Sequence, residues 1–306
     1  MHPGPLIPRN AVGARQPSRR LASVEARAYR RPMDRFRQTL RRRLLGGLLG
    51  AAWGLAAPAV LRAERAPFRF GLTPVFLNND SELLARLQGW LEGALGRPVR
   101  FVQRRTYREI TNLALVGDLD AAWICGYPWL DNRAALALVA VPLWRGRPLY
   151  QAYLIERAGG AAADLSDLRG NTHAFSDPDS NSGYLVTVSD LLARGDEPEG
   201  FFTRTFFTYG HRNVVRAVGS GLAQSGSVDG YVWEALAKTE PDLPAATRIV
   251  ARSEWMGHPP IVCPRARAGS AEIAAFRQAL LTIADDPDGR AALDLLQLDG
   301  FVPGAE

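Results

Sequence analysis

From about residue 66 onward the chain alternates short apolar runs with stretches of helical hydrophobic spacing, and no other feature narrows its fold as far. Runs at 68–72, 99–102, 120–125 and 138–143 have the length and composition of strands. Between the first two, Leu83, Leu84, Leu87, Leu91 and Leu95 keep helical spacing behind a capping segment, Asn79-Asp80-Ser81. A second helix is expected over 107–116, closed by Gly117, and a short third over 128–135. Strands separated by helices in this way form a parallel sheet covered on both faces, which makes the class α/β.

The pattern then breaks and restarts. Residues 150–155 are extended and lead into a loop, 158–163, made only of Gly and Ala. Strands follow at 172–176, 206–209, 225–228 and 249–251, with helices at 183–193, 213–218 and 231–237. A last strand at 261–263 and helices at 270–284 and 288–296 have no sheet of their own, so they are assigned back to the first group. The expected division is residues 66–150 plus 258–306 for one Rossmann-like lobe and 151–257 for a second. The chain would cross between them near 145–152 and 253–260. Two crossings make a hinge, and a hinge between α/β lobes makes a cleft that can close.

The net charge of +6 would point to nucleic acid if it were spread over the body. It is not. Residues 1–65 hold 14 of the 37 Lys and Arg and only three acids, Glu25, Asp34 and Glu64. The remainder carries 23 basic and 28 acidic residues, a net of −5, so no nucleic-acid partner is expected. The basic segment reads as a leader and export signal. Arg35, Arg37, Arg41, Arg42 and Arg43 precede a weakly apolar stretch, 44–61, with Ala59 and Ala63 as possible cleavage points. Arg41-Arg42-Arg43-Leu44-Leu45 fits a twin-arginine signal. The stretch is also about long enough for an uncleaved membrane anchor, a reading that its glycines and Pro58 weaken. No Cys follows it, so a lipid anchor is not expected. Residues 1–32 read either as a disordered leader or as sequence upstream of a start at Met33.

The strongest local feature is Phe175-Ser176-Asp177-Pro178-Asp179-Ser180-Asn181-Ser182-Gly183-Tyr184. A strand ends at Ser176, Pro178 and Asp179 turn the chain, and a helix is expected to begin near Ser182. Ser180, Asn181 and Ser182 then sit where backbone N–H groups are unpaired and the helix dipole is positive, a setting that suits a tetrahedral oxyanion. Simple capping by Ser or Asn is the competing account.

Other stretches extend the pattern. They include Thr106-Tyr107-Arg108-Glu109-Ile110, Gly117-Asp118-Leu119-Asp120-Ala121-Ala122-Trp123, Tyr150, and Gly210-His211-Arg212-Asn213 followed by Ala217-Val218. Together with the Asp-Pro-x-Ser-x-Ser-Gly-like turn, their order and spacing over residues 67–300 resemble the phosphate/phosphite/phosphonate (PhnD-like) substrate-binding proteins of ABC transporters. The resemblance implies a type II periplasmic-binding-protein fold. It implies that the serine loop and His211 grip phosphorus-bound oxygens while Tyr107 and Tyr150 close over them. Without it, both tyrosines would read as core aromatics; His211 opens a helix and can point into the cleft, with simple capping as the competing account.

Departures from the family refine the expectation. A carboxylate that some members use to hold a ligand's amino group has no evident counterpart: near that position the chain reads Asp229-Gly230-Tyr231. The stretch Trp255-Met256-Gly257-His258-Pro259-Pro260-Ile261 lacks the acid found there in aminophosphonate binders. Phosphate, phosphite or a simple phosphonate such as methylphosphonate is therefore favoured over an aminoalkylphosphonate. Cys125, at a strand end that faces the crevice, is open to three readings: a buried inert thiol, a disulfide to Cys263, or a ligand thiol. The candidate ligand set is Ser180, Asn181, Ser182, His211, Tyr107, Tyr150, Cys125 and Tyr231. The expected function is an exported, periplasmic, monomeric receptor that hands its ligand to an ABC permease in the inner membrane. The alternative is a periplasmic sensory protein for arsenite or a related oxyanion that signals to a membrane kinase, with Cys125 as a soft ligand. No enzyme signature, cofactor motif or metal cluster is evident in the sequence.

Overall fold

A computed structural model describes residues 65–75 and 81–304. The leader, the export signal with its twin-arginine run, and the Asn79-Asp80 part of the proposed helix cap lie outside the described residues, all of which fall in one compact unit, residues 61–306. The first stretch runs β1 (Phe68–Leu72), α1 (Ser81–Leu95), β2 (Val99–Gln103), α2 (Tyr107–Leu115), β3 (Ala121–Trp123), α3 (Gly126–Asp131) and β4 (Leu136–Leu143). Then come β5 (Leu149–Tyr150), β6 (Ala152–Arg157), β7 (Thr172–Phe175), α4 (Val186–Ala193), α5 (Pro198–Phe201) and β8 (Arg204–Phe207). They are followed by α6 (His211–Gly219), β9 (Ser225–Asp229), α7 (Gly230–Thr239), α8 (Asp242–Ala245) and β10 (Thr247–Arg252). The chain ends with β11 (Met256–Gly257), β12 (Ile261–Pro264), α9 (Ala271–Thr282), α10 (Pro287–Leu296) and β13 (Gly300–Val302).

These strands form two principal sheets, ordered β13-β4-β12-β3-β1-β2 and β10-β6-β9-β7-β8. The late elements return to the first sheet. β12 inserts between β3 and β4, and Phe276 of α9 packs its ring 4.7 Å from Phe68 and 5.2 Å from Phe70 of β1. The fold is thus α/β with two Rossmann-like lobes.

The sheets are mixed, where the alternation predicts parallel ones. β1 pairs in parallel with β2 and β3, and β7 with β8 and β9. β12, however, runs antiparallel to both β3 and β4, and β6 antiparallel to β9. The reason lies in how these strands are entered. A parallel neighbour needs a crossover connection, usually a helix. β6 and β12 are the first long strands after each crossing between lobes, so no crossover fixes their direction.

The crossings themselves pair. β5 and β11 form a two-stranded antiparallel ribbon, with Tyr150 opposite Met256 and Leu149 opposite Gly257. The single extended run expected at 150–155 is accordingly split, β5 belonging to the hinge and β6 to the second lobe. Sequence pattern missed β11 and β13, which are two and three residues long, too short to show a period.

Two local features place the site. α2 begins with a reciprocal cap: Thr106 accepts the Glu109 N–H, and Glu109 accepts the Thr106 N–H at 3.0 Å. Its buried positions, Tyr107, Ile110, Thr111 and Ala114, follow one helical face and turn the Tyr107 ring inward. At the other side of the cleft, the helix expected at 183–193 starts with a wide π-type turn over Asn181–Leu185, in which Leu185 N–H donates to the Ser180 carbonyl at 3.0 Å.

Cys125 and Cys263 are both buried and unpaired, which removes the disulfide alternative. Register explains it. Ile261 lies opposite Trp123 in an antiparallel pair, so Cys263 and Cys125 diverge by four residues along the strands, roughly 13 Å, too far for a disulfide. No helix among the described residues is long and apolar enough to cross a membrane.

Candidate ligand-binding site

The turn after β7 is held by its own short side chains. Asp177 Oδ1 accepts the Asp179 N–H at 2.8 Å, and Ser180 Oγ accepts the Gly183 N–H at 3.0 Å. The Ser176 N–H donates to the Gly183 carbonyl at 3.1 Å, folding the turn back on the strand end. Gly183 has a steric purpose here. A Cβ at this position would lie 1.8 Å from Ser176 Oγ, 2.7 Å from Ser176 Cβ and 2.8 Å from His211 Cε1.

Asp177 and Asp179 also fasten the turn to the first lobe. Asp177 Oδ2 accepts the Tyr107 N–H at 3.2 Å, the first amide of α2. Arg108 forks onto Asp179 with contacts of 3.1 and 2.8 Å. The Arg108 side chain is 71% exposed, so this pair is worth little energetically and mainly fixes alignment.

The eight residues named from sequence converge on one region between the lobes. Tyr107, Cys125, His211 and Tyr231 line a small cavity of about 30 Å³, together with Thr73, Asp229 and His258. Leu72, Val75, Trp123 and Pro259 form its apolar wall. Ser180, Asn181, Ser182 and Tyr150 sit beside these residues without lining the cavity itself. Ser180, Ser182 and Tyr150 are buried. Asn181 bridges the lobes, its Nδ2 lying 3.2 Å from both Tyr150 Oη and Met256 Sδ.

The amides of the turn are not bare, as the sequence led us to expect. The Asn181 N–H donates to Cys125 Sγ at 3.3 Å, and the Gly183 N–H is used inside the turn. Sulfur is a weak acceptor, whereas an anionic oxygen is a strong one, so exchanging the thiol for a ligand oxygen at this amide is favourable. Burial pushes the Cys125 thiol up to about 11. At neutral pH it is therefore a protonated thiol rather than the thiolate that nucleophilic or metal chemistry requires.

His211 is polarised by its neighbours. The Asp229 backbone N–H donates to Nδ1 at 3.1 Å, so Nδ1 is the acceptor and the neutral ring carries its hydrogen on Nε2. Nε2 lies 3.1 Å from Tyr107 Oη. Desolvation lowers His211 to about 3, which keeps the ring neutral. With Nε2–H given to the phenol oxygen, the Tyr107 hydroxyl hydrogen is free to turn toward a guest. Burial raises Tyr107, Tyr150 and Tyr231, so all three stay protonated donors. Tyr231 spends its hydroxyl on the Leu296 carbonyl at 2.5 Å and offers the cavity its ring.

Sequence reasoning missed Thr73, Asp229 and His258. The expectation that a carboxylate is lacking near 229–231 is corrected: Asp229 itself lines the cavity. Its Oδ1 caps α7 by accepting the Tyr231 N–H at 2.9 Å, which disguises it in sequence as an ordinary helix cap. Burial raises its carboxyl to about 7, against the lowering effect of the Val232 and Tyr231 amides.

The profile of a protein family described as ABC transporter, phosphonate, periplasmic substrate-binding protein matches residues 70–306. The chain belongs to this family. Solved structures agree on the fold. A binding protein component of an ABC phosphonate transporter from Pseudomonas aeruginosa is similar with a TM-score of 0.70 at 20% identity, over 78% of this chain and 82% of that one. PhnD1 from Prochlorococcus marinus, in complex with methylphosphonate, is similar with a TM-score of 0.68 at 17% identity, over 78% of this chain and 92% of that one. The fold is that of the type II periplasmic binding proteins, and the phosphonate-binding family is one of transport receptors acting in the periplasm with a membrane permease.

Two expectations follow from the geometry of this phosphonate-family cleft. Gly183→Ala forces Ser176 and His211 apart, and it should lower stability by about 1–3 kcal/mol. A denaturant melt checks this, and a variant as stable as wild type would show that the turn has slack. For Asp229 the sign is set by a raised carboxyl: the folded protein holds the proton up to about pH 7, the unfolded chain only to about 3.9. The contribution is therefore fully present below about pH 4 and lost as pH rises through 7, at most about 1.4 kcal/mol per unit. Asp229→Asn keeps a capping oxygen and should abolish that slope in thermal melts of ligand-free protein between pH 4 and 8.

Proposed function

We propose that this protein captures a compact phosphorus oxyanion (phosphate, phosphite or a simple phosphonate such as methylphosphonate) in the cleft between its lobes and delivers it to an ABC permease. The observation that carries this reading is that Tyr107 and His211 line one small cavity, with the Asn181 N–H held against Cys125 of its wall. These groups can donate hydrogen bonds without formal charge, which suits reversible capture of a small anion. Cavity size favours a compact guest: at about 30 Å³ it leaves no room for a long chain. Leu72, Val75 and Trp123 supply an apolar wall against which a methyl group could pack.

The ligand-contact set is Ser180, Asn181, Ser182, His211, Tyr107, Tyr150, Cys125 and Tyr231, with the turn and His211 on one lobe and Tyr107, Tyr150 and Cys125 across the gap. They already meet in this structure, and a bend at the β5–β11 ribbon would part them to admit the ligand. Export by the twin-arginine route and action as a monomer complete the proposal.

Calorimetric titration of ligand-stripped protein with phosphate, phosphite and methylphosphonate tests it. Saturable one-to-one binding of at least one is expected. Absence of heat with all three, or binding of arsenite alone that disappears in Cys125→Ser, would contradict it.

A further inference from the structure

His258 is a buried imidazole with nothing to bind. It is 3% exposed, and among the described residues neither Nδ1 nor Nε2 has a hydrogen-bond partner. The other two described histidines are fully paired. His173 meets Ser225 Oγ at 2.8 Å and Ser227 Oγ at 2.9 Å, and His211 meets the Asp229 amide and Tyr107. Leaving a buried polar atom unpaired costs on the order of a full desolvation penalty, so an imidazole left this way in a cavity wall marks a place where a guest completes the bonding.

The position of the ring agrees. It lines the same cavity as His211, Asp229, Tyr107 and Cys125, and its ring centre lies 5.6 Å from that of Tyr150 and 5.1 Å from that of Tyr231. Its backbone N–H donates to the Pro148 carbonyl at 2.9 Å, and it follows directly on β11. The side chain is thus carried by the hinge ribbon itself. Desolvation lowers its imidazole to about 3 and outweighs a backbone contact with Pro259 that is too poorly aligned to satisfy either ring nitrogen, so His258 is neutral.

We propose that His258 is a direct ligand contact that selects oxyanions bearing a proton on oxygen. The inference rests on the phosphorus-oxyanion reading above. A neutral imidazole presents one donor and one acceptor. Among the described residues no Lys or Arg lines the cavity. A fully deprotonated oxyanion offers acceptors only. It would satisfy the imidazole N–H and leave the other nitrogen unpaired. A hydrogenphosphonate monoanion offers both an acceptor oxygen and a P–OH donor. A sulfonate of the same shape has no such hydrogen. Whether the shared proton rests on the ring or on the ligand oxygen, the complex has the same composition.

The test is titration of wild type, His258→Phe and His258→Gln with methylphosphonate and with methanesulfonate, at pH 7, with thermal melts to confirm folding. Phe keeps a flat ring and removes both polar atoms, whereas Gln keeps a donor and an acceptor. Wild type should prefer methylphosphonate by at least about tenfold. His258→Phe should weaken methylphosphonate about ten- to hundred-fold and methanesulfonate much less, and His258→Gln should retain most of the preference. A Phe variant that binds methylphosphonate within about threefold of wild type, or that loses both ligands equally, overturns the assignment. If wild type binds neither of these compounds nor phosphate or phosphite, the phosphorus-oxyanion reading fails and the assignment falls with it; if it binds only phosphate or phosphite, that reading stands, and His258→Phe must weaken that anion about ten- to hundred-fold or the assignment is overturned. Imidazole ¹⁵N shifts of wild-type His258 give a readout independent of the variants: they should move on adding methylphosphonate, and unchanged shifts in a protein that binds it would overturn the proposal.

Discussion

Gly183 meets Ser176 and His211 at a distance where no side chain fits. That contact allows the end of β7, the start of α6 and the wide turn at Asn181–Leu185 to share one corner. The same turn reaches across to the other lobe through three kinds of bond: Asp177 to the first amide of α2, Asp179 to Arg108, and Asn181 to Cys125, Tyr150 and Met256. The candidate site and the contacts that join the lobes are therefore built from one short segment. A displacement of the turn would move the donors and loosen the lobes together.

The cavity's electrostatics are those of dipoles. His211 and His258 are neutral, the three tyrosines remain protonated, and among the described residues the lining carries no guanidinium or ammonium group. An anion held by oriented N–H and O–H groups in a dry pocket is bound strongly in the closed form, and those groups can return to water or to one another when the lobes part. Asp229 runs against that trend. Burial raises its carboxyl to about 7, so the cavity wall can hold a proton there near neutral pH.

Much of this was legible in the sequence, for identifiable reasons. β1 and α2 were readable because their apolar positions follow a single period; His211 was named from its place at a helix start, and Tyr107 only through the family resemblance. Strand direction was not readable. β6 and β12 enter their sheets from the hinge, and nothing local records which way such a strand will run. The β5–β11 ribbon is too short to carry a pattern. Asp229 was hidden by its role as a cap, and His258 by a Gly-His-Pro-Pro stretch without periodicity. Their importance comes from tertiary placement: the first is buried at the floor of the cleft, and the second is swung into it by the crossing segment.

A crystal structure of the protein grown with methylphosphonate tests the central claim most directly. The account predicts the phosphorus atom between the two lobes, with ligand oxygens hydrogen-bonded to the Asn181 amide and to the Tyr107–His211 pair, and the Asn181–Cys125 contact given up. Methylphosphonate bound elsewhere on the molecule, with the Asn181 amide still on Cys125, would contradict it.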